Sequence, residues 1–306
     1  MFNEERKLKF LSETRETSDY GISTFNATEG VEEECGKDLC ELDASTIQNL
    51  FDKNFGVRKR ATESAIAFMQ SYVKWCKDNG FETSDGVFDL EVDISQKIRR
   101  TMVASPRHLA SIMDQVFSPV ESKTVDCLYR CYLWMMFSGL REPDTIEVNV
   151  SDIDLDTFTI QFGGKAFEIY KEAVPAFKMA CTATEFVYIH PNYTTTMERF
   201  PGDKLIRGVR TDHVQLKTIR PYVRKKLRKH GFDLTQRLIR LSGIFYKAFE
   251  EERCGFDVNF DDAVVEQLQS TKRTYTANYT RGKAAYMITR DFMEDYERWK
   301  KAFAVD

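Results

Sequence analysis

The chain has 306 residues, of which 42% are hydrophobic, 13% aromatic and 30% charged, and its net charge is −4. That length accommodates two ordinary domains, and the apolar and aromatic content excludes an intrinsically disordered chain. The net charge alone argues against a nucleic-acid partner, but its distribution argues the other way. Residues 1–50 hold twelve acidic against five basic side chains, whereas residues 201–250 hold thirteen basic against four acidic. Such asymmetry is the footprint of a surface that meets a polyanion.

The seven cysteines (Cys35, Cys40, Cys76, Cys127, Cys131, Cys181 and Cys254) form no CxxC pair. An odd, dispersed set reads as reduced thiols in a cytoplasmic protein. Cys127 and Cys131 share a helix face, and two thiols alone make a poor metal site, so they read as small apolar core residues. No metal and no cofactor is expected. The opening MFNEERKLKF has no apolar signal core. The most apolar stretch, Leu128 to Leu140, is interrupted by Arg130 and is too short to span a bilayer. No membrane partner is expected.

In chain order, the first third reads as helices. Glu4 to Leu11 is short, and a second helix starts at Ser18 and runs toward Val31. Asp43-Ala44-Ser45 caps a third, with Ile47, Leu50 and Phe51 at helical spacing. From Arg58 to Asn79 one apolar stripe (Ala65, Met69, Tyr72, Val73, Cys76) gives the clearest helix, ended by Asn79-Gly80. Residues 83–104 are mixed in polarity and read as a linker. Ser105-Pro106 opens the next helix, with the serine as cap and the proline in the first turn. The apolar helix ending at Ser138-Gly139-Leu140 follows, then β-like runs at Thr145–Val150, Thr157–Phe162 and Ala166–Lys171. Helices return from Val174, over Gln215–His230 and over Thr235–Cys254. Gln215–His230 is basic, with Ile219, Val223 and Leu227 as its apolar face. Arg220, Arg224, Lys225, Arg228 and Lys229 lie elsewhere around it and are candidate phosphate contacts, against the plainer reading of a solvated charged face. At the C-terminus Phe292, Tyr296, Trp299 and Phe303 fall on one helix face, which must bury somewhere.

The stretch DCLYRCYLWMMFSGLREPDTIEVNVSDIDLDTFTIQF, residues 126–162, resembles the box around the first catalytic arginine of the tyrosine recombinase (phage integrase) family, TGLRxSELxxLxWxDIDxxxxxIxI. Arg141 matches that arginine, Asp144 stands where the family has Glu, and Pro143 replaces a small polar residue. A guanidinium forks two donors onto a phosphate, so arginine is chemically demanded there. Lys165, in Phe162-Gly163-Gly164-Lys165, lies where the family's hairpin lysine acts as general acid; an exposed turn lysine is the plain alternative. The family's H-x-L-R-H box falls on Arg237-Leu238-Ile239-Arg240-Leu241, so Arg240 takes the second arginine's place and Arg237 the histidine's. An arginine binds phosphate but does not shuttle protons near neutral pH.

The family's third signature, G-H-x-x-x-x-T-x-x-Y, is not recognisable. All four histidines precede Arg240, and Trp299 lies too late. Family spacing puts the nucleophile at Tyr275 or Tyr279, with Tyr286 further off. The resemblance implies a mainly helical α+β fold with a small antiparallel sheet. A helical, SAM-like core-binding domain over residues 1–82 and a recombinase catalytic-type domain over residues 105–306 would clamp double-stranded DNA. It also implies that the C-terminal helix packs in cis or onto a neighbouring protomer, making a homo-oligomer on DNA.

Two functions stay open at this point. One is a DNA-binding regulator, of phage descent, with an incomplete cleavage set. The other is an active site-specific recombinase that cuts and rejoins DNA through a phosphotyrosine. A helical interaction protein without a nucleic-acid role is the unrelated third.

Overall fold

The computed structural model describes residues 1–14, 19–88, 90, 92–190, 192–270 and 281–304. Contacts divide the chain into two compact units, Met1–Ile98 together with Phe260–Asp306, and Arg99–Asn259. Secondary structure is mainly helical, and among the described residues the small antiparallel sheets lie in the second unit.

The first unit starts with α1 (Glu4–Thr14), α2 (Asp19–Cys35), α3 (Ala44–Asn54) and α4 (Lys59–Asp78). The division between units falls inside α5 (Ser95–Thr101). Asp43 caps α3 by accepting from Thr46 N, as its sequence signals. The core is aromatic. Phe10 of α1 meets Phe25, Phe68, Tyr72 and Trp75 edge-on at centroid distances of 6.0, 5.7, 5.2 and 5.8 Å. Beside it lies a wholly buried ion pair. Lys7 Nζ donates to both oxygens of Glu32, and Glu32 also accepts from Thr28 Oγ1 and Leu39 N at 2.7 Å each. Burial pushes the Glu32 carboxyl up, against the Lys7 charge and these hydrogen bonds.

Within residues 83–104, expected as a linker, several described residues are held by hydrogen bonds or burial. Ser84 N donates to Cys40 O, Gln48 reaches Asp93 O, and Val87, Ile94, Ile98 and Val103 are buried.

The second unit contains α6 (Pro106–Val116), α7 (Asp126–Phe137), α8 (Glu142–Thr145), β1 (Ile153–Asp154), β2 (Thr159–Phe162), β3 (Lys165–Glu168), α9 (Val174–Thr182), β4 (Glu185–His190), β5 (Tyr193–Glu198), α10 (Leu216–Lys229) and α11 (Gln236–Arg253). Its centre is α7, in which every residue except Tyr129 is buried, the charged Asp126 and Arg130 included. α11 crosses α7 at backbone contact. A Cβ at Gly243 would lie 1.6 Å from the Phe137 carbonyl oxygen, so no side chain fits there. Strands β1, β2 and β3 form an antiparallel meander with Ile153 opposite Ile160 and Phe162 opposite Lys165. β4 and β5 make a separate hairpin.

Thr145–Val150 is not the strand its alternating Ile146, Val148 and Val150 predict. Glu142–Thr145 is a helical turn with Pro143 in its start, and the following residues pair only at a single bridge, Asn149 with Lys204. Val150 N bonds Asp203 O and Leu205 N bonds Val148 O, and Val148 is buried without a ladder.

The chain then returns to the first unit as α12 (Asp261–Ser270) and α13 (Arg281–Phe303). Compactness therefore groups residues 260–306 with the N-terminal unit and not with the catalytic-type domain expected over 105–306. Asp295 explains part of this. Arg58, the first-turn cap of α4, offers no side-chain acceptor, and Asp295 Oδ1 instead accepts from Lys59 N at 2.7 Å while the carboxylate pairs with the Arg58 guanidinium. Arg60 adds a 3.2 Å pair to Asp291. Phe292, Tyr296 and Trp299 are buried, with Phe260 stacked on Phe292 at 5.5 Å. Of the two placements open to the aromatic stripe, in cis or on a neighbouring protomer, Phe292, Tyr296 and Trp299 take the first and are covered by their own chain.

Candidate nucleic-acid interface

The Ser138-Gly139-Leu140 sequence ends α7 by a specific geometry. Gly139 has φ of 107°, its N–H donates to Met136 O at 2.9 Å, and Leu140 N–H donates to Met135 O at 3.0 Å. This is the paired C-terminal closure that needs a left-handed residue, and buried Leu140 supplies its apolar anchor. The turn leaves the Gly139 carbonyl pointing away from α7, where Arg240 Nε donates to it at 2.8 Å. Arg240 sits on α11, one turn before the Gly243 crossing. The close helix approach thus brings Arg240 to the loop that carries Arg141.

Arg141 begins α8 and makes a two-pronged pair with Asp144, Nε to Oδ2 at 2.7 Å and Nη2 to Oδ1 at 2.8 Å. Next to it, Glu142 accepts from Tyr132 Oη and from two nitrogens of Arg220 at 2.9 and 2.7 Å. Burial alone raises the Glu142 carboxyl, but the Arg220 and Tyr132 hydrogen bonds and the Arg220 charge outweigh it, and the net shift is downward. This bracket fixes the start of α10 against the Arg141 turn.

Lys165 is exposed at the tip of the β2–β3 hairpin, behind Gly163 and Gly164, which both have positive φ. The other end of β3 abuts the α7 terminus, where Ser138 Oγ donates to Glu168 O. Arg237 is exposed in the first turn of α11, whose cap Thr235 accepts from Leu238 N. Tyr275 and Tyr279 lie outside the described residues.

α10 carries seven bases and no acid. Ile219, Val223 and Leu227 are buried, as its spacing predicts. Three of its cations have carboxylate partners: Arg220 with Glu142, Lys226 with buried Asp126 at 2.8 Å, and Arg228 with Asp233 at 3.6 Å. Lys217, Arg224, Lys225 and Lys229 are exposed and have no ion-pair partner among the described residues. Tyr222, between them, stacks on Tyr129 at 4.7 Å. The candidate residues therefore divide. Arg141, Arg240 and Arg220 converge on one turn, while Arg224, Lys225 and Lys229 face solvent on α10. Sequence reasoning missed the Glu142–Arg220 and Asp126–Lys226 brackets, whose partners are 78 and 100 residues apart.

Cys127 and Cys131 are buried thiols, the first pushed up to about 12 by burial and the second also raised. No cluster of three or more His, Cys, Asp or Glu side chains suited to a metal occurs among the described residues, and none of their helices is long and apolar enough to cross a membrane.

Residues 1–78 match the family model described as the MrpR N-terminal core-binding domain. The chain is thus similar over its first 78 residues to a core-binding domain, in keeping with the resemblance noted above. Among solved structures, one described as the crystal structure of XerA recombinase is 14% identical, with 89% of this chain and 98% of that chain covered and a TM-score of 0.37. That likeness is too distant to assign residues. No curated protein matches the chain.

Proposed function

We propose that the chain binds double-stranded DNA through the Arg141–Arg240 turn and the outer face of α10, and that it acts as a regulator and not as a strand-cleaving enzyme. The observation that carries this reading is the anchoring of Arg240 on the Gly139 carbonyl beside Arg141, with a third guanidinium, Arg237, one turn earlier on α11. Three guanidiniums form a phosphate-binding surface, and none of them moves a proton near neutral pH. Cleavage requires a proton donor for the leaving oxygen and a group that accepts the tyrosine proton. Lys165 is the remaining candidate donor, and every histidine lies before Arg240. Arg224, Lys225 and Lys229 would add phosphate contacts that position the duplex without reading sequence. The core-binding domain at residues 1–78 supports a DNA partner independently of these side chains.

The test is duplex binding across a salt series, together with a nicked suicide substrate that traps any covalent intermediate. Salt-sensitive binding without an adduct is expected. An adduct that disappears in Tyr275→Phe or Tyr279→Phe would make the chain an active recombinase, and absence of binding at low salt would overturn the DNA reading altogether.

A further inference from the structure

The Arg99–Asn259 unit holds a cavity of about 800 Å³ that none of the residues above explains. It opens between the N-terminal end of α7, the β4–β5 hairpin, the loop of residues 206–215 and the first turn of α10. Leu128, Phe186, Met197, Ile206, Val209 and Val214 make it mainly apolar. Well-packed interiors leave no such space, and the volume falls in the range of small-ligand pockets, about 300–1,000 Å³.

Among the described residues no aspartate or glutamate lines it, whereas the cationic side chains of Arg207 and Arg210 do, with His213 beside them. Arg207 is committed to the loop: its Nε donates to Phe200 O at 2.9 Å and its Nη1 to Lys204 O at 2.7 Å. His213 faces Glu147 at 3.8 Å, and Glu147 is also held by Lys204 at 3.1 Å, which leaves that carboxylate matched outside the cavity. Arg210 is different. It is exposed, lines the cavity and has no partner among the described residues.

We propose that this cavity is a binding site for a small amphipathic anion, with an apolar body seated between the β4–β5 hairpin and α7 and a single carboxylate or sulfonate held by Arg210. An arginine suits that role because its planar fork matches a planar or tetrahedral oxyanion with two parallel hydrogen bonds. The phenol-bearing walls, Tyr129, Tyr188 and Tyr193, favour a flat or aromatic body over a flexible chain. The site is separate from the phosphate-binding surface and does not rest on the DNA reading.

Two fluorescent probes test it on the full chain: anilinonaphthalene sulfonate, an aromatic anion, and phenylnaphthylamine, its uncharged counterpart. One saturable site is expected for the anion, with roughly tenfold preference over the neutral probe from the charge-assisted hydrogen bonds. Arg210→Gln should remove that preference by weakening the anion roughly tenfold while leaving the neutral probe unchanged. Val209→Trp, which fills the cavity, should abolish both. Should that variant not fold, exposed Arg210 still decides the matter. Absence of saturable binding, or anion binding indifferent to Arg210→Gln, would overturn the proposal.

Discussion

Lys7 and Lys225 mark two opposite uses of positive charge in one chain. Lys7 is fully buried, held on both oxygens of Glu32, and every acceptor around it belongs to the protein. Lys225 stands in solvent on α10 with Arg224 and Lys229, and among the described residues no carboxylate pairs with any of them. The first arrangement specifies a fold, because an unpartnered charge there is intolerable. The second does nothing for folding and keeps its charge for another molecule. The Arg141 turn lies between these limits: Arg141 is held by Asp144, Arg220 by Glu142 and Arg240 by the Gly139 carbonyl, at a surface and not in a core.

Breaking the buried pair should have the largest effect. Lys7→Met leaves Glu32 buried without its counter-charge and should lower stability by about 3–5 kcal/mol in urea unfolding. The double replacement Lys7→Met with Glu32→Leu should recover most of that loss, and failure to recover would mean that the pair is more than a matched charge. Gly243→Ala should follow, at the upper end of the ~1–3 kcal/mol cost of overpacking, because its Cβ would overlap the Phe137 carbonyl. If it melts like the parent, the α7–α11 crossing is not as close as described.

Asp295→Ala should cost about 1–2 kcal/mol through the lost cap on α4, read as a lower melting temperature. Acid should act on the middle case. The Glu142 carboxyl is held below its unfolded value, so its stabilising contribution is complete above the ordinary carboxylate range and is lost as pH falls through the lowered folded value. Glu142→Gln should remove that part of the acid limb, and carboxyl titration by NMR checks the sign. The smallest effect on stability belongs to Arg224, Lys225 and Lys229 replaced together by alanine, within about 0.5 kcal/mol. The same variant should lower the slope of log binding constant against log salt by about three, which separates a binding surface from an idle one.

The local parts of this arrangement were legible in the chain. Ser138-Gly139-Leu140, Ser105-Pro106, Asp43 and Thr235 each announced a helix end, because caps and closures are built from neighbours in sequence. The glycine pair before Lys165 announced its hairpin for the same reason. What escaped was set by distance along the chain. Nothing in the residues near Glu142 points to Arg220, nothing near Arg58 points to Asp295, and Gly243 reads as an ordinary weakness in a helix until Phe137 is seen behind it. The alternation of Ile146, Val148 and Val150 misled because it reports burial of alternate residues, and burial there comes without a neighbouring strand. The cavity beside β4–β5 left no trace, since an empty space has no sequence of its own.

The reach of Asp295 to Lys59, across 236 residues, bears on how the molecule is made. The second unit is an insertion within the first, so a chain emerging from the ribosome presents α4 long before its capping carboxylate exists. The first unit must wait with an open helix end while the whole of the second is synthesised and folds, and it closes only once α13 has emerged. A truncation that removes α13 would therefore injure α4, 236 residues before Asp295.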